Sequence, residues 1–257
     1  MKFDMHCHTK EGSIDGKLPL EDTILRLRSL GYGGMLITDH NSYKAHRFYQ
    51  KTLAKKYPDF VVLKGIEYDT LDAGHILVIL PTGVHIPILE LRGLPVSLLI
   101  DIVHHYGGIL GPAHPCGEKY LSITNTKRGH KNHNILKRFD FIETFNACEP
   151  PESNKAAAAL AARLNKPGVG GSDSHRYNCV GLGYAELPDT IRTETDLVRY
   201  ILTVSDTVTG GEYYTHTAKQ KIGRLNDVLV YSFWFYNKLS AAYRMRARYT
   251  ELHKISA

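Results

Sequence analysis

Cysteine is scarce and unpaired in this chain. Four are present, Cys7, Cys116, Cys148 and Cys179. Their spacing defines neither a disulfide framework nor a thiolate zinc finger, so reduced thiols are expected. No apolar run approaches the roughly 18–20 residues that cross a bilayer. The opening Met1-Lys2-Phe3-Asp4-Met5-His6 has no apolar secretory core. A cytoplasmic location without a membrane partner is the expectation. Charge of one sign is not in large excess: the formal net charge is +6, which suits a small anionic substrate and does not by itself imply nucleic acid. Internal repeats and low-complexity linkers are missing too, which excludes a repeat array.

What remains is an ordinary globular composition, 43% hydrophobic and 23% charged over 257 residues, enough for one large domain with a short appendage. Short apolar segments at Lys2–His6, Gly34–Thr38, Phe60–Ile66, His75–Leu80, Gly108–Ala113, Phe139–Thr144 and Gly168–Gly171 read as buried strands. Helical patterns at Pro19–Leu30, Ser42–Tyr57, Leu94–Tyr106, Glu152–Asn165 and Glu194–Val204 separate several of them. Alternating strands and helices predict an α/β fold of parallel βα units, and about seven strands predict a closed or nearly closed barrel. The character changes near Gly210-Gly211. Residues from about Ala218 to Arg248 form one long aromatic and basic helical pattern. The division expected is therefore a barrel over residues 1–212 and a helical extension over 213–257, packed on the barrel or on a second subunit.

Histidine is the unusual abundance. There are 14, and the motifs that carry them fall where strands are expected to end. His6 and His8 form His-Cys-His after the first strand, on one side of it, where both imidazoles can meet one ion. Thr38-Asp39-His40 ends the second strand, Gly65-Ile66-Glu67 the third, Ala113-His114-Pro115 the fifth and Gly171-Ser172-Asp173-Ser174-His175 the seventh. His75 is the exception, because it opens the fourth. Any one of these could be a satisfied core histidine or a helix cap. Together, so many ionisable groups on one barrel edge are costly to bury unless cations compensate them. Imidazole mixed with carboxylate suits zinc, manganese or iron(II).

These stretches, in this order, with Asp4-Met5-His6-Cys7-His8-Thr9 and Ile142-Glu143-Thr144-Phe145-Asn146, resemble the PHP (polymerase and histidinol phosphatase) domain family of metal-dependent phosphoesterases. The resemblance covers residues 1 to about 212 and implies a distorted (β/α)7 barrel holding two or three divalent ions. It implies that His6, His8, Glu67 and Asp173 hold a first ion, that Glu67 bridges to a second completed by His75 and His114, and that a third takes His40, His175 and an acidic residue. That last residue departs from the family pattern. An aspartate about five residues after the second histidine is usual, whereas this chain has Ser13 there and Asp15 two residues later, before Gly16. Asp15 is the favoured ligand and Glu11 the alternative. Glu143 is expected to orient a histidine, with capping or packing equally open for it and Asn146.

The implied reaction is attack of a metal-bound hydroxide on the phosphorus of a small phosphorylated metabolite or nucleotide, with a phosphomonoesterase favoured. Glu67, Asp173 and His175 are its expected catalytic residues. Arg128, Arg176 and Lys119 are the candidates for holding phosphate, within loops that include a polar lid at residues 127–133. Within the class, a nuclease acting on short oligonucleotides and a phosphotyrosine phosphatase are the alternatives, with nucleic acid the less favoured partner. Outside it stand an amidohydrolase, which typically needs a bridging carboxylated lysine that no strand end here offers, and a non-catalytic metal-binding module. The tail is expected to be structural, burying a helical face of Tyr231, Trp234, Phe235 and Leu239 and serving, in one arrangement, a homo-oligomer. Cys7 and Cys116 are expected beside the metal ligands.

Overall fold

The computed structural model describes residues 1–117, 121–131, 133–216 and 225–256. The chain is α/β. Strand β1 (Lys2–Cys7) is buried over nearly its whole length, as its apolar run dictates. After helix α1 (Leu20–Ser29) and β2 (Tyr32–Ile37) come α2 (Lys44–Thr52), β3 (Val61–Asp69), β4 (His75–Ile79), α3 (Val96–His105) and β5 (Ile109–Pro112). Two short helices, α4 (Lys127–Lys131) and α5 (His133–Lys137), stand where the sequence suggested a lid loop. Then follow β6 (Ile142–Asn146), α6 (Pro151–Leu164), β7 (Gly168–Gly171), β8 (Gly183–Glu186), α7 (Glu194–Thr203) and β9 (Thr209–Gly211). The α7 start carries a capping box in which Thr193 and Asp196 each accept from the other's backbone N–H.

The strand order is β5-β4-β3-β2-β1-β8-β9, with β6-β7 as a second pair. The sheet curls. Asp140 N–H donates to Leu110 O at 2.9 Å, tying the entry of β6 to β5, while Asp173 N–H donates to His6 O at 2.7 Å and ties the exit of β7 to β1. Gly171 permits that closure, because a Cβ there would meet His6 N at 2.5 Å. Phe3, Met5, Leu63, Leu77, Ile109, Phe141 and Val169 fill the enclosed space, with Leu197 and Ile201 of α7 packed on the same cluster.

Two expectations change. The pairing is mixed: β1–β2, β2–β3 and β6–β7 are parallel, but β3–β4 and β4–β5 are antiparallel. That explains His75. A strand running the other way begins at the edge where its neighbours end, and Asp69 pairs with His75 in the β3–β4 register. The strand count also exceeds a sevenfold βα repeat, since β8 and β9 extend the sheet beyond β1. Both are too short to show a hydrophobic period.

The tail is two helices, α8 (Leu225–Tyr243) and α9 (Met245–Ser256). The start of the predicted helix, up to Arg224, lies outside the described residues. The predicted buried face is corrected. Tyr231, Trp234, Phe235 and Leu239 are 47, 36, 57 and 55% exposed, while Val230 and Ala241 are buried. The reason is the surface beneath α8, which is polar. Phe233 meets imidazole rings, Asn237 accepts from Arg92, and the Arg92 guanidinium lies over the Tyr236 ring at 4.9 Å. Helix α9 sends Leu252 and Ile255 onto the core beside α3, and Arg248 Nη1 donates to Arg92 O at 2.6 Å. No described helix is long and apolar enough to cross a membrane.

Candidate metal centre

Nine side chains scattered from His6 to His175 converge on the sheet edge where β1, β3, β5 and β7 end. The tightest group is His6, His8, Glu67 and Asp173. His6 Nε2 and His8 Nε2 are 3.1 Å apart. Glu67 Oε2 lies 3.5 and 3.2 Å from those two nitrogens, and Asp173 Oδ1 the same 3.5 and 3.2 Å. Donors bound at about 2.0–2.1 Å to one tetrahedral ion sit roughly 3.3 Å from each other, so His6, His8 and Glu67 have the separation of ligands that share a cation, and Asp173 stands at the same distance from both imidazoles. The other Glu67 oxygen, Oε1, is 3.0 Å from His75 Nδ1 and 3.2 Å from His114 Nε2. A third group joins Asp15 Oδ2 to His175 Nε2 at 3.1 Å and to His40 Nε2 at 3.5 Å. Glu11 is elsewhere: its carboxylate accepts the Leu20 N–H at 3.0 Å, at the start of α1.

The far nitrogens explain how the rings are aimed. His6 Nδ1 donates to Glu143 Oε1 at 2.8 Å, His40 Nδ1 to Asp69 Oδ1 at 3.0 Å and His175 Nδ1 to the Asp173 carbonyl at 3.0 Å. His8 Nδ1 meets Ser13 Oγ at 3.2 Å and His114 Nδ1 meets Ser122 Oγ at 3.3 Å. A carboxylate or carbonyl oxygen can only accept, so it fixes the proton on Nδ1 and turns the Nε2 lone pair inward. Asn146 Nδ2 donates to Asp173 Oδ2 at 3.1 Å and to Glu143 Oε2 at 3.2 Å, locking the two carboxylates together. The sequence pointed to an orienting role for Glu143; Asp69, Ser13 and Ser122 carried no such signal, being common residues outside the strand-end motifs.

Electrostatics favour a cation here. Burial pushes the Glu67 carboxyl up, but the imidazoles of His40, His75 and His6 outweigh it and hold it well below the usual range. Asp173 is likewise pushed up by burial and pulled well below its ordinary value, chiefly by His6 and by the hydrogen bond from His8. The imidazoles answer in kind: burial lowers His8 and His114, and the carboxylates then lift each to about 9. Yet His6 and His8 cannot both carry a proton on nitrogens 3.1 Å apart without setting two N–H groups against each other. His75 is 3.0 Å from Glu67 and 3.4 Å from Asp69, but neither contact is aligned as a hydrogen bond and both its ring nitrogens are buried. Divalent ions would resolve both conflicts, so the residues fit the metals their chemistry implies. His114 and Asp173 also hold positive φ, 31° and 50°, a strained backbone that the fold maintains at this edge.

The substrate candidates divide. Lys119 lies outside the described residues. Arg128 lines a cavity beside His75 and has its Nε 3.5 Å from Asp72. Arg176 is exposed and lines no described cavity that contains a cluster residue. A second cavity, beside His40, is lined by Lys10, Lys44, Arg92 and Arg244, none of them among the phosphate-binding candidates. Cys7 packs with Leu20, Ile24 and Leu27 of α1, and Cys116 against the core beside α3, so neither neighbours the ligands as expected. The cysteine that does is Cys148, whose thiol donates to the carbonyls of Ser172 and Asp173 at 3.4 and 3.5 Å. All four thiols are free.

The chain matches the PHP domain family over residues 4–169 and a PHP-associated family over 151–203. No curated protein matches it. Among solved structures, PsfC from Pseudomonas syringae is similar at 15% identity over 90% of this chain and 98% of its own, with a TM-score of 0.60. A protein of Bifidobacterium adolescentis assigned as a metal-dependent phosphoesterase matches at 18% identity, over 78% of this chain and 95% of its own, with a TM-score of 0.54. Endonuclease Q, in complex with a duplex carrying an abasic lesion, matches at 15% identity over 80% of this chain and 57% of its own, with a TM-score of 0.57. At these identities the likenesses are of fold.

Proposed function

The chain belongs to the PHP domain family, and on that premise we propose that it is a metal-dependent phosphoesterase acting on a small phosphomonoester. The observation that carries this is Glu67, one carboxylate placed between two donor groups: Oε2 faces His6 and His8, with His40 Nδ1 also 3.3 Å away, and Oε1 faces His75 and His114. One carboxylate so placed suits two neighbouring ions. His6, His8, Glu67 and Asp173 would hold one, Glu67, His75 and His114 a second, and Asp15, His40 and His175 a third. Bound there, such ions supply a water of lowered pKa and offset charge on the phosphoryl oxygens.

The chain's own groups do the rest. Asp69 and Glu143 fix the tautomers of His40 and His6, so that these rings present lone pairs and not protons. Asp173, gripped by Asn146, keeps its other oxygen toward His6 and His8. Lys10, Lys44 and Arg244 give the cavity beside His40 the positive charge that draws in an anionic ester. A small substrate is favoured over a nucleic-acid duplex because α8 crosses the site: Phe233 lies 5.8 and 6.1 Å, ring centre to ring centre, from His40 and His75. Among the described residues, that roof separates a cavity beside His75 from one beside His40.

The test is a panel of phosphorylated metabolites and short oligonucleotides assayed with added manganese or zinc. Release of inorganic phosphate from a small monoester, lost with Glu67→Gln, is the expected result. Cleavage confined to oligonucleotides would replace this reading with a nuclease.

A further inference from the structure

The cavity beside His75 differs in chemistry from the one beside His40, and the phosphoesterase reading alone does not account for it. Its volume is about 490 Å³, within the range of roughly 300–1,000 Å³ typical of small-molecule sites. Asp69 and His75 form its inner end, so it opens directly off the cluster. Its walls are largely apolar. Leu71 and Leu121 come from the barrel side and Trp234 from α8, while Asn125, Arg128 and Lys238 bring its polar groups. Leu71 is 41% and Trp234 36% exposed, so two large apolar side chains face accessible space beside a charged site. Lys238 is fixed by donation to Leu71 O, and its ammonium sits 5.8 Å from the centre of the Trp234 indole.

Resting on the phosphoesterase reading, we propose that this cavity receives the leaving group of the substrate and that the group is an alcohol carrying a flat aromatic ring, stacked on Trp234. Three features point the same way. The cavity is continuous with His75 and Asp69, so an ester whose phosphorus lies at the cluster has its leaving oxygen directed into the cavity or away from it toward His40. The His40 side is mainly polar, with four cations facing Glu11 and Glu90, and suits an anion, whereas the His75 side has the more extensive carbon surface, from Leu71, Leu121 and Trp234. The wall that supplies the indole is anchored, because the same helix docks through Phe233, Tyr236 and Asn237. Trp234 is then a specificity-determining residue, contributed from outside the motifs that identify the family.

Trp234 is the sole tryptophan of the chain, so the full-length protein reports on its own cavity. Phenylphosphonate, which cannot be hydrolysed, should quench or shift the tryptophan emission saturably, and methylphosphonate should do so far less. In kinetics, Trp234→Ala should raise KM for phenyl phosphate about three- to tenfold, the size of an aromatic stacking contact, and leave KM for glycerol 2-phosphate unchanged. Trp234→Phe should restore most of the loss. Equal response to the two phosphonates, or equal KM changes for the two esters, overturns the assignment. The failures separate: a protein inactive on both esters that still distinguishes the phosphonates overturns the phosphoesterase reading, and with it the leaving-group role, while leaving an aromatic site at Trp234; an active protein that does not distinguish them overturns the aromatic site alone.

Discussion

The edge of the barrel and the C-terminal helix α8 both face the same cleft, but they are built on opposite terms. At the barrel edge, most of the charged and polar groups are buried and several are held by a named partner: His6 by Glu143, His40 by Asp69, Asp173 by Asn146. Along α8, large apolar groups stay exposed, and the inward face is a thin line of Val230, Phe233, Asn237 and Ala241. The first region holds charge that only cations fully compensate. The second holds carbon surface that a ligand can cover. On the proposed reading, the chemistry belongs to one region and selectivity to the other.

The largest effect should come from striking the edge at its shared residue. Glu67→Gln keeps the shape and removes the charge between two donor groups, so activity on any accepted ester should fall by roughly 10³-fold or more, several kcal/mol in the transition state. Bound metal, measured by elemental analysis, should fall with it. Full metal content with full activity would break the comparison at its strong side.

Next comes Asp69→Asn. The amide cannot hold the His40 Nδ1 proton as a carboxylate does, and a loss of about 10- to 100-fold in metal affinity is typical of such supporting partners. Titration calorimetry of the metal-free protein checks this. Because Asp69 also pairs with Arg92 (3.4 Å) and Asn41 (2.7 Å), circular dichroism must show the fold retained; a folded variant with unchanged affinity would sever His40 from the cluster.

Removal of residues 217–257 should act differently. Ion content should persist, since none of the nine clustered side chains lies in the tail, while KM rises and selectivity between esters narrows. The cut also exposes the core that Leu252 and Ile255 cover, so a lower Tm is expected too. Lost ions in a truncated chain that remains folded would show that the tail belongs to the centre itself.

The smallest effect on chemistry belongs to Cys7→Ala. Its thiol is wholly buried against α1, and burial pushes its pKa up, so it is an unreactive packing group. Turnover should be unchanged within about twofold, with a stability cost of roughly 1 kcal/mol from the small cavity left behind. A large loss of turnover would place Cys7 in the site.

The same contrast explains what could be read before the structure. The strand-end motifs carrying His6, His8, Glu67, His114, Asp173 and His175 were legible because ionisable groups after apolar runs are costly without a shared purpose. The sequence favoured Asp15 over Glu11 through the Gly16 that follows it, and the structure turns Glu11 to the start of α1 while Asp15 reaches His175. The reversed direction of β4 was hidden, since a buried strand reads alike in either sense, and only the odd position of His75 hinted at it. The helical face of α8 was misread because aromatic periodicity marks a face without saying whether core or ligand covers it. Phe233, which meets His40 and His75, lies outside the stripe that the periodicity picked out.

The central claim is that the barrel edge is a polynuclear metal centre. Elemental analysis of the untreated, folded, full-length protein tests it most directly. At least two divalent ions per chain, removed together with the activity by a chelator and restored with it, is the predicted result; one ion or none in folded protein would contradict the account.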